Sequence, residues 1–156
     1  MIEKARAWLS QWGLQDKILE FDTSSATVKL AAEALGVEEG RIAKTLSFDV
    51  DGKCVLIVAA GDIKVDNRKF KDTFHTKAKM LPANRVEAET GHAVGGVCPF
   101  GINEGVKVYL DESLKRFQTV FPACGSSNSA IELTIPQLQQ TSMAEDWVDI
   151  SKTAEA

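Results

Sequence analysis

The chain has 156 residues, 44% of them hydrophobic, and carries 18 Lys and Arg against 22 Asp and Glu for a formal charge of -4. That length suits a single domain over residues 1–156 with a sizeable core, and the acidic balance argues against a general nucleic-acid coat, so DNA is not an expected partner. The longest apolar run, Val55 to Ala60, is far too short to span a bilayer, and Met1-Ile2-Glu3-Lys4-Ala5-Arg6 lacks the layout of a signal peptide, so the expectation is a cytoplasmic protein with no membrane partner.

Residues 2–12 predict an amphipathic helix, with Ile2, Ala5, Trp8, Leu9 and Trp12 on one stripe and Gly13 as its stop. Ile18 to Phe21 reads as a short strand. Thr23-Ser24-Ser25 offers N-cap oxygens to a helix through Val28, Ala31, Ala32 and Leu35, ended by Gly36. Arg41–Val50 and Lys53–Ala60 then flank Asp51-Gly52, the pair that a type I′ hairpin turn requires. Helices are expected over 66–74 and over 82–89, the second with Pro82 in its first turn. A loop from Gly91 to Gly105 leads to a strand at Val106–Leu110, a short helix capped by Asp111 and running to Phe117, strands at Thr119–Ala123 and Ser129–Thr134, a short helix at Pro136–Gln140, and a last strand at Trp147–Ile150. Helices first and meandering strands afterwards favour an α+β fold with a mixed, largely antiparallel sheet.

Three stretches carry candidate chemistry. Gly95-Gly96-Val97-Cys98-Pro99-Phe100-Gly101 can be neither helix nor ordinary strand. Its glycines admit positive φ and close approach, Pro99 restrains Cys98, and the bare backbone N–H and C=O groups suit a small polar ligand. A plain tight turn would read the same way. Lys44 lies in Arg41-Ile42-Ala43-Lys44-Thr45-Leu46-Ser47-Phe48, where period 2 sets it on one face with Ile42, Leu46 and Phe48. It therefore faces the core or a pocket, snorkelling to the rim or holding an anionic or carbonyl group. Between Lys64 and Lys79 six basic residues stand against two acidic ones, while the other 140 residues carry a net charge of -8. That asymmetry marks Lys64, Arg68, Lys69 and Lys71 as a footprint for phosphates or as a solvated helix face.

The usual hydrolase and nucleotide motifs are missing: the sequence contains no GxSxG, HExxH, GxxxxGK[ST] or GxGxxG. Cys54, Cys98 and Cys124 form no CxxC and have only His75 and His92 for company, so neither a disulfide framework nor a structural metal is expected. Cys98 and His92 could form a thiol–imidazole pair, although six residues of loop say little about their distance. Both histidines read otherwise as surface or loop residues.

Lys44 in its strand, the 95–101 loop, and Gly125-Ser126-Ser127-Asn128 before a strand occur in an order that resembles the YbaK/EbsC family, which is similar to the editing domain inserted in bacterial prolyl-tRNA synthetases. The resemblance covers roughly residues 20–145. It implies a barrel-like sheet flanked by helices and an aminoacyl-tRNA deacylase that edits in trans, hydrolysing the ester of a small amino acid on proline tRNA or a related tRNA. By the same resemblance, Lys44 matches the essential lysine, and Gly95 and Pro99 match the ends of the GxxxP motif, with Gly96 and Val97 inside it, whose backbone positions the aminoacyl group. Phe21, Cys98, Phe100, Gly101, Gly125, Ser126 and Ser127 then line or flank the substrate pocket, Cys98 being a departure that bears on amino-acid preference. On such a substrate the basic cluster, marked by its charge, is expected to contact tRNA phosphates. No metal or cofactor is implied, and the partners are the acceptor end of a mischarged tRNA and an aminoacyl-tRNA synthetase. An aminoacyl ester is already activated, so a site that orients its carbonyl and donates backbone N–H groups needs no side-chain nucleophile. The rivals are a module that binds the CCA end or a protein without hydrolysis, and a hydrolase dependent on the Cys98 thiol.

Overall fold

In the computed structural model, which describes residues 2–154, the chain is built around the hairpin of β2 (Ile42–Val50) and β3 (Lys53–Ala60). Asp51 and Gly52 have φ of 53° and 83°, the pair of positive values a type I′ turn needs to follow the strand twist. The ladder runs without a break from Ala43↔Ala60 to Val50↔Lys53. Around it curls a six-stranded half-barrel with strand order β8-β6-β2-β3-β5-β9, where β5 is Lys107–Asp111, β6 Thr119–Pro122, β8 Leu133–Thr134 and β9 Asp146–Val148. The sheet is mixed: β2–β3 and β6–β8 are antiparallel, while β2–β6, β3–β5 and β5–β9 are parallel. Two small antiparallel pairs complete it, β1 (Leu19–Glu20) with β7 (Ser129–Ala130) and β4 (Ile63–Val65) with β10 (Ser151–Thr153).

The helices are α1 (Ile2–Leu9), α2 (Val28–Leu35), α3 (Asn67–Phe74), α4 (Ala83–Thr90) and α5 (Ile135–Ser142). After α1 the stripe continues through Trp12 as a tighter 3₁₀ turn, and left-handed Gly13 ends it. The cap of α2 is Thr27, two residues beyond the expected Thr23-Ser24-Ser25. Thr27 is extended and its hydroxyl accepts from Leu30 N–H, whereas Ser25 is drawn aside by the carbonyl of Ser127. Pro82 stands just before α4 as its N-cap residue instead of inside its first turn. The expected strand 129–134 is split, β7 pairing with β1 and β8 with β6, and Ile131 N–H reaches Pro122 O between them.

The two faces of the hairpin bury different layers. Leu46, Phe48, Val55 and Ile57 alternate onto one face and pack against Phe70 and Phe74 of α3 and Tyr109 of β5. Leu56, Val58, Val108 and Leu110 meet Ala5 and Leu9 of α1 and Phe100 on the other. Asp111, fully buried at the end of β5, joins three segments: its carboxylate accepts from Ser113 N–H at 3.0 Å, Ile150 N–H at 2.9 Å and Ser151 Oγ at 2.7 Å. It thus starts the 3₁₀ turn of Glu112–Arg116 and holds β10 against β4. Asp111→Ala leaves those buried donors unpaired and is expected to cost about 2–4 kcal/mol, measured as a lowered urea midpoint with unchanged slope.

Candidate active site

β2 is paired along the whole of one edge but only in two pieces along the other. β6 accompanies it over Ile42↔Phe121 and Ala43↔Pro122, then turns away toward Gly125. Further on, the segment at Met80 takes over, with Asp49 N–H donating to Lys79 O at 2.8 Å and Leu81 N–H to Ser47 O at 2.9 Å. Between the two pieces lies a cavity of about 320 Å³, lined by Lys44, Thr45 and Ser47 of β2, by Gly95 and Val97, by Ser25–Val28, and by Ser129 and Ala130. Met80 and Val94, 52% and 65% exposed, also line it and form an apolar rim.

The loop 95–101 is fastened from below. Gly95 has φ of 93°, and a Cβ on Gly96 would lie 2.8 Å from Gly125 C and Ser126 N, so the two backbones meet where only glycine fits. Cys98 and Phe100 are fully buried and Pro99 is buried with them. Gly101 packs against the backbone of Lys4 in α1. Of the loop residues expected at the substrate, Gly95 and Val97 therefore line the cavity, while Gly96, Cys98, Pro99, Phe100 and Gly101 form its footing. Gly125, Ser126 and Ser127 stand behind the wall: Ser127 O accepts from Ser25 N–H and Oγ, and Ser126 Oγ lies 2.6 Å from Ser129 Oγ. Phe21 exchanges hydrogen bonds with Asn128 and packs beside Ile42 and Phe121 without lining the cavity.

Lys44 donates from Nζ to the carbonyls of Ile63 and, at 3.4 Å, Gly61, in the turn between β3 and β4. Burial lowers its pKa, and the carboxylates of Asp62 and Asp111 oppose that shift by favouring the ammonium. Thr45 and Ser47 are additions from the structure; their signal was two hydroxyl residues at alternate positions of a strand, which any half-buried face also produces. Ser129 and Ser25 could not have been placed there without the β1–β7 pairing.

His92 lies in the loop after α4 but is fully buried instead of at the surface, and it does meet Cys98, with Nε2 at 3.5 Å from Sγ. The same Nε2 lies 2.6 Å from Phe100 O; a carbonyl can only accept, so Nε2 carries the proton and is no base toward the thiol. Burial pushes Cys98 up to about 12 and His92 down to about 4. The pair is neutral packing outside the cavity. The basic residues do not line the cavity either. Lys64, Arg68 and Lys71 are exposed, while Lys69 is held by Asp149 at 3.1 Å and Ser151 O at 2.7 Å. α3 lies on the Phe48 face of β2, opposite the face of Thr45 and Ser47.

The architecture is that of a small α+β domain, a curled half-barrel whose central strand opens into a cavity beneath a glycine-proline loop. The model of the aminoacyl-tRNA editing domain family matches residues 22–141, and the chain belongs to that family. It is 55% identical over 152 residues to YwhH of Bacillus subtilis, itself uncharacterized, with 97% of each chain covered. It is 35% identical over 105 residues to EbsC of Enterococcus faecalis, named as a candidate Cys-tRNA(Pro)/Cys-tRNA(Cys) deacylase, over 65% of this chain and 63% of that one. A solved structure described as a candidate trans-editing enzyme for prolyl-tRNA synthetase is similar with a TM-score of 0.86 at 28% identity, over 97% of this chain and 96% of the other. Among the described residues no helix is long and apolar enough to cross a membrane.

The buried imidazole makes a pH prediction. Its folded pKa of about 4 lies below the ordinary 6.5, so the unfolded state binds more protons between those values and stability falls as pH drops through that window. Comparing urea midpoints of the protein and His92→Gln from neutral pH to pH 4 is expected to show a shallower decline in the variant.

Proposed function

We propose that the protein is a free-standing deacylase that hydrolyses the ester of a mischarged aminoacyl-tRNA bearing a small amino acid, in trans to the synthetase. The observation that carries this reading is the single cavity that joins Lys44 to Gly95 and Val97 behind an open mouth. Membership of the editing family supplies the substrate class. The names of EbsC and of the prolyl trans-editing structure favour a small amino acid on proline tRNA or a related one.

The chemistry follows from what the cavity presents. An ammonium has three donors, and two of those on Lys44 go to Gly61 and Ile63, which leaves one for the ribose or phosphate of the terminal adenosine. In the loop, Gly96 N–H is engaged by Ala93 O at 3.0 Å, while among the described residues the N–H groups of Gly95 and Val97 have no backbone partner. They are the candidate donors to the developing oxyanion as water adds to the ester carbonyl. Cys98 takes no part, since its thiol is protonated and sealed beneath the loop. Lys64, Arg68 and Lys71 contact phosphates of the tRNA from the α3 face, and Lys69 is already committed to Asp149.

A panel of mischarged tRNAs, assayed with excess enzyme in single turnover, tests the reading. Lys44→Ala is expected to lower the rate by roughly tenfold to several hundredfold, the range for loss of a charge-assisted contact. Cys98→Ala is expected to stay within about tenfold, whereas removing a nucleophile costs on the order of 10⁴-fold. Tight binding of the acceptor end with no turnover of any member would instead support a binding module. Affinity should also fall with salt. For two to four neutralised phosphates of a single strand the log–log slope is about -1.4 to -2.8, and charge reversal at Lys64, Arg68 and Lys71 is expected to flatten it.

A further inference from the structure

The open stretch of β2 carries main-chain groups in a particular order. Asp49 N–H and Ser47 C=O both point to the edge where the Met80 segment pairs. Backbone polar groups alternate between the two edges of a strand, so Thr45 turns its own N–H and C=O to that same edge, and Ser47 its N–H. β6 reaches no further than Ala43, and the other segment begins opposite Ser47. Among the described residues these three groups have no hydrogen-bond partner, although they line the cavity wall. Ser47, only 8% exposed, adds a hydroxyl that has no partner among the described residues either. Buried backbone groups are almost always paired, so this vacancy in the ladder marks a place for a ligand.

The vacancy is one residue long. Had the Met80 segment continued past Leu81 in register, a single residue would face Thr45 in a hydrogen-bonded antiparallel pair, its N–H on Thr45 C=O and its C=O on Thr45 N–H. An aminoacyl ester has the same two groups at the same spacing: an α-amino nitrogen and a carbonyl oxygen on either side of one Cα. We infer that β2 reads the aminoacyl group of the substrate as a one-residue added strand, Thr45 C=O accepting the α-ammonium and Thr45 N–H holding the ester carbonyl. The inference rests on the deacylase reading and specifies how that site recognises its substrate.

Direction follows as well. In the antiparallel sense the ligand's nitrogen lies toward Leu81 and its ester toward Ala43 and Ala123. Any acyl group on that nitrogen would run into the backbone of Met80 and Leu81, so a peptidyl or N-acetylated ester is excluded while a free amino acid is admitted. The mode is strand addition shortened to one residue, with main-chain bonds giving affinity irrespective of the side chain. Thr45 N–H would polarise the carbonyl from the strand while the loop at Gly95 and Val97 closes over it, which places donors from two elements around the reacting carbon.

Two measurements test this. In the free protein, amide exchange followed by NMR is expected to alternate, fast at Thr45 and Ser47 and slow at Lys44 and Leu46, whose N–H groups face β3. An adenosine carrying L-alanine through a 3′-amide, which cannot be hydrolysed, is expected to slow exchange at Thr45. Uniform protection along β2 in the free protein, or binding of the analogue with Thr45 unaltered, overturns the inference. In single turnover, alanyl-, N-acetylalanyl- and propionyl-tRNA are compared, each rate divided by that of spontaneous hydrolysis. Acceleration is expected to be lower by about 10- to 100-fold for the propionyl ester, which lacks the ammonium, and to vanish for the N-acetyl ester. Equal acceleration of all three overturns the one-residue pairing and leaves the deacylase standing. No acceleration of any free aminoacyl ester in the panel overturns the deacylase and this inference with it.

Discussion

Unequal pairing of the two edges of β2 is the constraint from which the rest of the molecule follows. Toward β3 the ladder is continuous, and its two faces carry the two main apolar layers. Toward β6 the pairing stops after Ala43, because β6 leaves the sheet through left-handed Gly125 to reach β7. A strand edge left open in a core must be covered or used. Here the loop at Gly95 and the stretch before α2 cover it loosely enough to leave a cavity, and the Met80 segment resumes the pairing just where that cavity ends.

Much of the fold is legible because local chemistry agrees with it. Asp51-Gly52 permits the I′ turn, Asp66 caps α3, and Asp111 caps the turn after β5, each through an interaction confined to a few residues. What escaped the sequence depends on distant partners. β4 and β10 are three residues each with a lysine at the centre, and no periodicity announces them; they pair because the Asp111 carboxylate gathers Ile150 and Ser151. The break in 129–134 has the same origin, since the run is uniformly strand-like but its two halves have different partners. At Thr27 the local rule was right and its position was not, because Ser127 had taken Ser25 out of competition.

The site divides likewise. Lys44 shows itself by alternation, as a lysine among apolar residues, and the 95–101 loop shows itself by composition. Composition cannot say which loop residues face the ligand, and half of this loop faces the core. Cys98 is the clearest instance: a thiol beside an imidazole looks reactive in sequence, yet in a dry environment with the nearby ring nitrogen protonated toward Phe100 O the pair has no route to an ion pair. Backbone groups are still less legible, because every residue has them. That Thr45 N–H and C=O are vacant depends on where β6 and the Met80 segment end.

The buried footing of the loop bears on chemistry more than on stability alone. Thr90 Oγ1 lies 2.7 Å from Val86 O and accepts His92 N–H at 3.1 Å; His92 Nε2–H donates to Phe100 O; Asn103 N–H donates to Thr90 O. Every link is a neutral hydrogen bond, so none is screened by salt; those of Thr90 and His92 lie inside the core and the one from Asn103 at the surface, and together they fix both ends of the loop against α4. Gly96, pressed against Gly125, fixes its middle. The proposed deacylase, working through oriented backbone dipoles, would have no strong nucleophile to tolerate a misplaced carbonyl, and its donors would have to be in position before the substrate arrives. The footing beneath Gly95 and Val97 and the unbroken β3 ladder behind Thr45 meet that requirement from opposite sides of one cavity, each by burying the apolar residues that the sequence places next to the groups it leaves bare.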